Sequence, residues 1–146
     1  MEKNYPSSSK VVVIGGGVIG CSVAYHLTKF GWNDVVLLER DQLTSGTTWH
    51  AAGLVSQLGP TASITKIRKY TLDLYKKLEK EVDHSAGLRL NGALSIAQTD
   101  ARWQELRRQA TTAQLYNVDV KILDKETIKK NYPMMHTEDL KGGILV

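Results

Sequence analysis

Val11-Val12-Val13-Ile14 runs without a break into Gly15-Gly16-Gly17-Val18-Ile19-Gly20, and this junction constrains the fold more than any other part of the chain. An unbroken β-branched run predicts a strand buried on both faces, at the centre of a parallel sheet. The glycines open main-chain angles closed to other residues, so the chain can turn sharply off the strand end. Ile19, Val23, Ala24 and Leu27 then recur at helical spacing, which predicts a helix over 18–30 with Gly31 as its stop. Val35-Val36-Leu37-Leu38 repeats the buried-strand signature. Strand, helix and strand in this order form a βαβ unit with a right-handed crossover.

The glycines have the G-x-G-x-x-G spacing of a dinucleotide-binding turn. Gly15 allows the tight turn, Gly17 lets the backbone approach a pyrophosphate, and Gly20 permits close packing of helix on strand. The amides at the helix start point the positive end of its dipole at the anion. Glu39 stands 19 residues beyond Gly20, at the end of the second strand, where a carboxylate accepts from the hydroxyls of an adenosine ribose. An acid there disfavours a 2′-phosphate, an argument that the neighbouring Arg40 tempers, so NAD and FAD remain.

The segment after strand two separates them. A plain nicotinamide fold proceeds into another helix and strand, whereas residues 42–60 are rich in Thr, Ser and Gly and contain Thr44-Ser45-Gly46-Thr47-Thr48-Trp49-His50-Ala51-Ala52-Gly53-Leu54. Hydroxyls and amides suit phosphate oxygens, and the small residues let a flat ring lie against the main chain. Together with VVVIGGGVIG, AYHL and VVLLER, this run resembles the N-terminal part of the sarcosine and dimethylglycine dehydrogenase family, within the D-amino-acid oxidase-like flavoproteins. The resemblance covers the whole chain, including YTLDLYKKLEKEV, GALSIAQT and YPMM, and is strongest over residues 11–54.

The resemblance implies FAD as cofactor, with Val18 and Ile19 at the pyrophosphate, Glu39 and Arg40 at the adenosine, and Gly46, Thr47, Thr48, Trp49, His50, Ala51, Ala52, Gly53 and Leu54 along the cofactor. His50 takes the place of the family's histidine that bonds to the 8α carbon of the flavin. An imidazole lone pair near neutral pH is compatible with that role. The implied reaction is oxidation of an N-methylated glycine: hydride passes to flavin N5, and hydrolysis of the iminium releases formaldehyde. The partners implied are a small amine substrate and, as electron acceptor, oxygen or an electron-transfer flavoprotein. No catalytic residue is identified. Family members are several hundred residues long, so the expectation is an N-terminal fragment whose substrate site lies beyond Val146 and which binds FAD poorly by itself. Two alternatives are a regulatory relative resembling the pyruvate dehydrogenase phosphatase regulatory subunit, which has no histidine at the TWH position, and a simple NAD-binding module.

Further along, Ile64, Ile67, Thr71, Leu74, Leu78 and Val82 define an amphipathic helix over 61–82. After Gly87 the period becomes two, at Leu88, Leu90, Leu94 and Ile96, with Asn91-Gly92 as the turn of a hairpin. A helix over 100–114, a strand over 118–123, a short helix capped by Asp124 and ending before Pro133, and a strand from Gly143 complete the reading. The expected architecture is α/β: a Rossmann-like FAD-binding βαβ unit within residues 1–87, followed over 88–146 by the start of an α+β substrate domain, both incomplete.

Composition narrows the remaining classes. With 42% hydrophobic and 23% charged residues, the chain is neither disordered nor collagen-like. Its net charge of +4 arises beyond residue 50, where cations such as Lys66, Arg68, Lys69, Lys76, Lys77 and Lys80 alternate with acids on helix faces, which speaks against nucleic acid as a partner. The single cysteine, Cys21, excludes an intrachain disulfide, and no metal-ligand spacing is present. Neither a signal-peptide core nor a run of ~18 apolar residues occurs, so the expectation is a soluble protein of the cytoplasm, or alternatively of the mitochondrial matrix, without a membrane span. Cys21, His26, Trp32 and Trp103 are expected to pack, and His84 and His136 to lie in polar turns without nearby partners.

Overall fold

The computed structural model describes residues 6–146. The chain divides into two units, the first reaching to Leu54 and the second spanning Val55–Val146.

In the first unit, β1 (Val11–Ile14), α1 (Val18–Lys29) and β2 (Val35–Leu38) form the expected βαβ arrangement. The two strands pair in parallel from Val11↔Val35 to Ile14↔Leu38. α1 ends where Gly31 adopts φ +86°, and Gly31 N–H donates to the Thr28 carbonyl at 3.0 Å. Burial on both strand faces is the expectation that fails. Val12 is 50% and Ile14 86% exposed, because β2 is the only strand paired with β1 among the described residues and α1 covers the face that carries Val13. An apolar run records that both faces prefer cover; it does not say where the cover comes from.

The second unit opens with α2 (Ala62–Glu81), whose N-cap Thr61 accepts from Ile64 N–H at 3.3 Å. The buried Thr65 hydroxyl accepts from Gly59 N–H and donates to the Thr61 carbonyl, and Arg68 donates to the Leu58 carbonyl at 2.7 Å. These bonds tie the preceding loop to α2. Next come β3 (Leu94–Ala97), α3 (Asp100–Gln114), β4 (Lys121–Leu123), α4 (Lys125–Asn131) and β5 (Gly142–Leu145). Thr99 and Asp124 cap α3 and α4, each accepting from the amide three residues on. The sheet order is β3-β5-β4, with both pairings antiparallel.

Two sequence expectations change here. Residues 88–90 form no strand, and Asn91-Gly92 is not a hairpin turn. Gly92, at φ +76°, instead leads the chain onto β5, where Ala93 and Val146 exchange two backbone bonds of 2.9 and 3.1 Å. The strand expected over 118–123 begins only at Lys121, because a turn at Asn117, φ +52°, precedes it. Lys69 donates to the carbonyls of Tyr116 and Asn117 at 3.3 and 2.9 Å, so α2 groups with the elements C-terminal to it.

The core of this unit lies between the sheet and its helices. Ala97, Leu106, Ala110 and Ile144 form one buried cluster, and Leu123, Ile128 and Leu140 another. Gly143 in β5 is required by space, since a Cβ there would stand 2.8 Å from the Ser95 carbonyl oxygen. Ile144 is 1% exposed on the central strand. Ile144→Ala is therefore expected to lower unfolding free energy by about 2–5 kcal/mol, read as a shift in the denaturant midpoint at unchanged slope.

Candidate cofactor site

The site is built where β1 ends. Gly15, at φ +102°, turns the chain, and its N–H still donates to the Leu38 carbonyl at 2.8 Å, completing the ladder to β2. Gly16 is buried and bonded on both sides. Its N–H donates to Glu39 Oε2 at 2.6 Å, and its carbonyl accepts from Thr44 N–H at 2.9 Å and from the Cys21 thiol at 3.3 Å. Gly17 is the N-cap of α1 and offers no side chain, but the Thr48 hydroxyl accepts from Val18 N–H at 2.9 Å in its stead. A Cβ on Gly20 would overlap the Gly15 carbonyl oxygen, so this glycine is demanded first by the turn itself and second by the approach of α1 to Val13.

Glu39 also accepts from Asp41 N–H at 3.1 Å. The Gly16 amide foremost, and then the Asp41 amide, hold its carboxyl below the usual carboxylate range. A carboxylate has about four acceptor positions, so Glu39 can brace the turn and still face ribose hydroxyls. A depressed acid stabilises the fold above its unfolded value, near 4.5, and loses that contribution as pH falls through the lower folded value. Hydrogen-exchange protection of the Gly16 amide, corrected for intrinsic exchange, should therefore be level above pH 5 and decline below about 4.5, and Glu39→Gln should remove that dependence.

The loop after Asp41 carries the imidazole. Thr44 adopts φ +67°, unusual for a β-branched residue, and this orientation accompanies its bond to the Gly16 carbonyl. Trp49 N–H returns to the Thr44 carbonyl at 3.2 Å, and Thr47–His50 forms one 3-10 turn. His50 Nδ1 lies 3.0 Å from the Gly46 carbonyl oxygen. A carbonyl only accepts, so Nδ1 carries the proton and Nε2 of the neutral ring keeps its lone pair. The Trp49 ring meets that of His50 edge-on, with centroids 6.1 Å apart, and Trp49 is 74% exposed, not buried in the unit.

Of the residues singled out in the sequence, Gly15, Gly17, Val18, Gly20, Glu39 and Thr48 meet at the turn, and Ile19 stands open beside it. Arg40, Gly46, Thr47 and Ala51–Leu54 remain exposed or half-exposed. Sequence reasoning missed Thr44, Leu43, whose side chain lies against Gly16, and the thiol bond of Cys21. His26 bonds within its helix to the Ser22 carbonyl. His136 is corrected: its two ring nitrogens stand 3.2 Å from Glu138 and 3.5 Å from Asp139.

These residues fit a dinucleotide. The first turn of α1 contains no acid, Val18 and Ile19 are exposed, and positive-φ glycine leaves room at the turn. No helix among the described residues is long and apolar enough to cross a membrane.

Comparison with known proteins agrees with this reading. The chain is 42% identical over 142 residues to human mitochondrial sarcosine dehydrogenase, and 36% identical over 143 residues to human mitochondrial dimethylglycine dehydrogenase; these alignments cover 97% and 98% of the chain. It spans only 16% of the length of either relative. Among solved structures, L-proline dehydrogenase from P. horikoshii superposes with a TM-score of 0.86 at 24% identity, covering 97% of this chain and 37% of that one, a likeness of fold. The family described as DAO, FAD dependent oxidoreductase, matches residues 10–146. A βαβ turn of this geometry, in a chain matched over nearly all of its length by that family, places the protein in the DAO family of FAD dependent oxidoreductases.

Proposed function

We propose that the protein is an FAD-dependent amine oxidoreductase of the sarcosine and dimethylglycine dehydrogenase type, with its flavin joined to His50. The observation that carries this reading is the exposed His50 ring, its Nδ1 engaged by Gly46 and its Nε2 without a hydrogen-bond partner among the described residues, on a loop bonded to the glycine turn. The amides of Val18 and Ile19 would hold the diphosphate, and Glu39 and Arg40 the adenosine end. FAD, once bound there, would supply the redox chemistry for oxidising the carbon beside the substrate amine. Joining Nε2 to the flavin methyl would form a C–N bond and release one methyl C–H hydrogen and the proton held on Nδ1. The two protons and two electrons released pass to dioxygen, giving hydrogen peroxide.

The substrate is an N-methylated glycine and the products are the demethylated amine and formaldehyde, with an electron-transfer flavoprotein as acceptor. The mitochondrial names of the human relatives favour a mitochondrial setting over the cytoplasmic one. The test uses the intact protein: flavin absorbance that survives acid precipitation, with formaldehyde released from sarcosine or dimethylglycine. A colourless preparation overturns the reading in favour of a nicotinamide module. Bound flavin without turnover of any N-methylated amine overturns it in favour of a regulatory relative.

A further inference from the structure

We propose that Thr48 is the positioning residue for His50, a proposal that rests on His50 as the flavin attachment point. Within residues 41–55, Thr48 alone is half-buried; every other residue is exposed. Its hydroxyl caps α1 from 30 residues away in sequence, at a helix start whose own N-cap has no side chain. The approach is close: a Cβ on Gly17 would stand 3.0 Å from Thr48 Oγ1. With Thr44 N–H on the Gly16 carbonyl and Trp49 N–H on the Thr44 carbonyl, the 3-10 turn is attached to the glycine turn at two points, one main-chain and one through the Thr48 side chain.

At three residues per turn, side chains two apart on such a helix diverge by about 120°. Thr48 facing α1 therefore directs His50 outward. The ring's own hydrogen bond, to Gly46, lies inside the same loop. The placement of Nε2 relative to the pyrophosphate turn is thus inherited from Thr48. Removing the hydroxyl leaves, among the described residues, the Thr44 hydrogen bond, six positions from His50, and the packing of Leu43 against Gly16 to hold the loop to the turn.

The test reconstitutes flavin-depleted intact protein with saturating FAD in air, where dioxygen takes up the two electrons released. It measures FAD affinity, the rate at which flavin becomes acid-stable, and hydrogen exchange at the Val18 amide. With FAD saturating, so that any loss of affinity is removed, Thr48→Val should attach the flavin about tenfold more slowly than the parent, the size a single neutral hydrogen bond carries, with faster exchange at Val18. Thr48→Ser should restore both. Attachment by Thr48→Val at the parental rate, with or without weakened FAD affinity, overturns the proposal and leaves Thr48 as a cofactor ligand at most. Equal slowing in Thr48→Ser overturns it as well. If the parent protein itself forms no acid-stable flavin, the reading of His50 fails and the proposal falls with it, an outcome distinct from a parent that attaches and a variant that does so equally well.

Discussion

Replacing His50 with alanine is expected to abolish acid-stable flavin in the intact protein while FAD remains bound and dissociable. The glycine turn, the N-terminal amides of α1 and the Glu39 carboxylate do not depend on the imidazole: His50's own hydrogen bond runs to Gly46, and the turn is held by Gly15, Gly16 and Val18. The readout is flavin fluorescence of the denatured chain on a gel, set against the flavin absorbance of the native protein. Flavin that stays with His50→Ala after denaturation would move the attachment point elsewhere and remove the main support for the amine dehydrogenase reading.

Gly20→Ala is expected to be the most damaging single change in the first unit. Its Cβ would overlap the Gly15 carbonyl oxygen, which is backbone at the turn's most constrained point and has no rotamer by which to give way. Relief requires opening the turn or lifting α1 off β1. Either movement breaks the register in which Gly15 bonds to Leu38 and Gly16 to Glu39. The expected loss is about 3 kcal/mol or more, at the upper end of overpacking costs, together with loss of FAD binding. Gly31→Ala is the matched control. It sits at φ +86° with open space where its Cβ would lie, so it should cost about 1–2 kcal/mol from backbone strain and leave flavin bound. Chemical denaturation and flavin retention of the two variants, measured side by side, check both statements.

Legibility in the sequence tracked the range of the interactions involved. The βαβ unit was readable because each of its signals is local: a β-branched run, a glycine turn, apolar residues at helical spacing and a glycine stop. The Asp124 cap belongs to the same class. The hairpin expectation failed because β3 pairs with β5, nearly fifty residues onward, and a dipeptide signal at Asn91-Gly92 carries no knowledge of a distant partner. The site divided in the same way. The turn at Gly15, the need for a glycine at position 20 and the placement of Glu39 beside the turn could be read from spacing, though at Gly20 the Gly15 carbonyl matters before the helix packing that spacing suggests. The bonds from Thr44 and Thr48 could not, because one rests on a positive φ at a β-branched residue and the other on a cap that reaches back 30 residues.

The sheet order of the second unit bears on how the chain is made. β3 and β4 each pair with β5 and not with each other, and β5 comes after both in sequence. During translation, β3 must wait for roughly 2–10 s, at about 5–20 residues per second, before the strand that completes it leaves the ribosome. Over that interval its edge stays unpaired and open to association with other nascent chains, and only the arrival of β5 closes it.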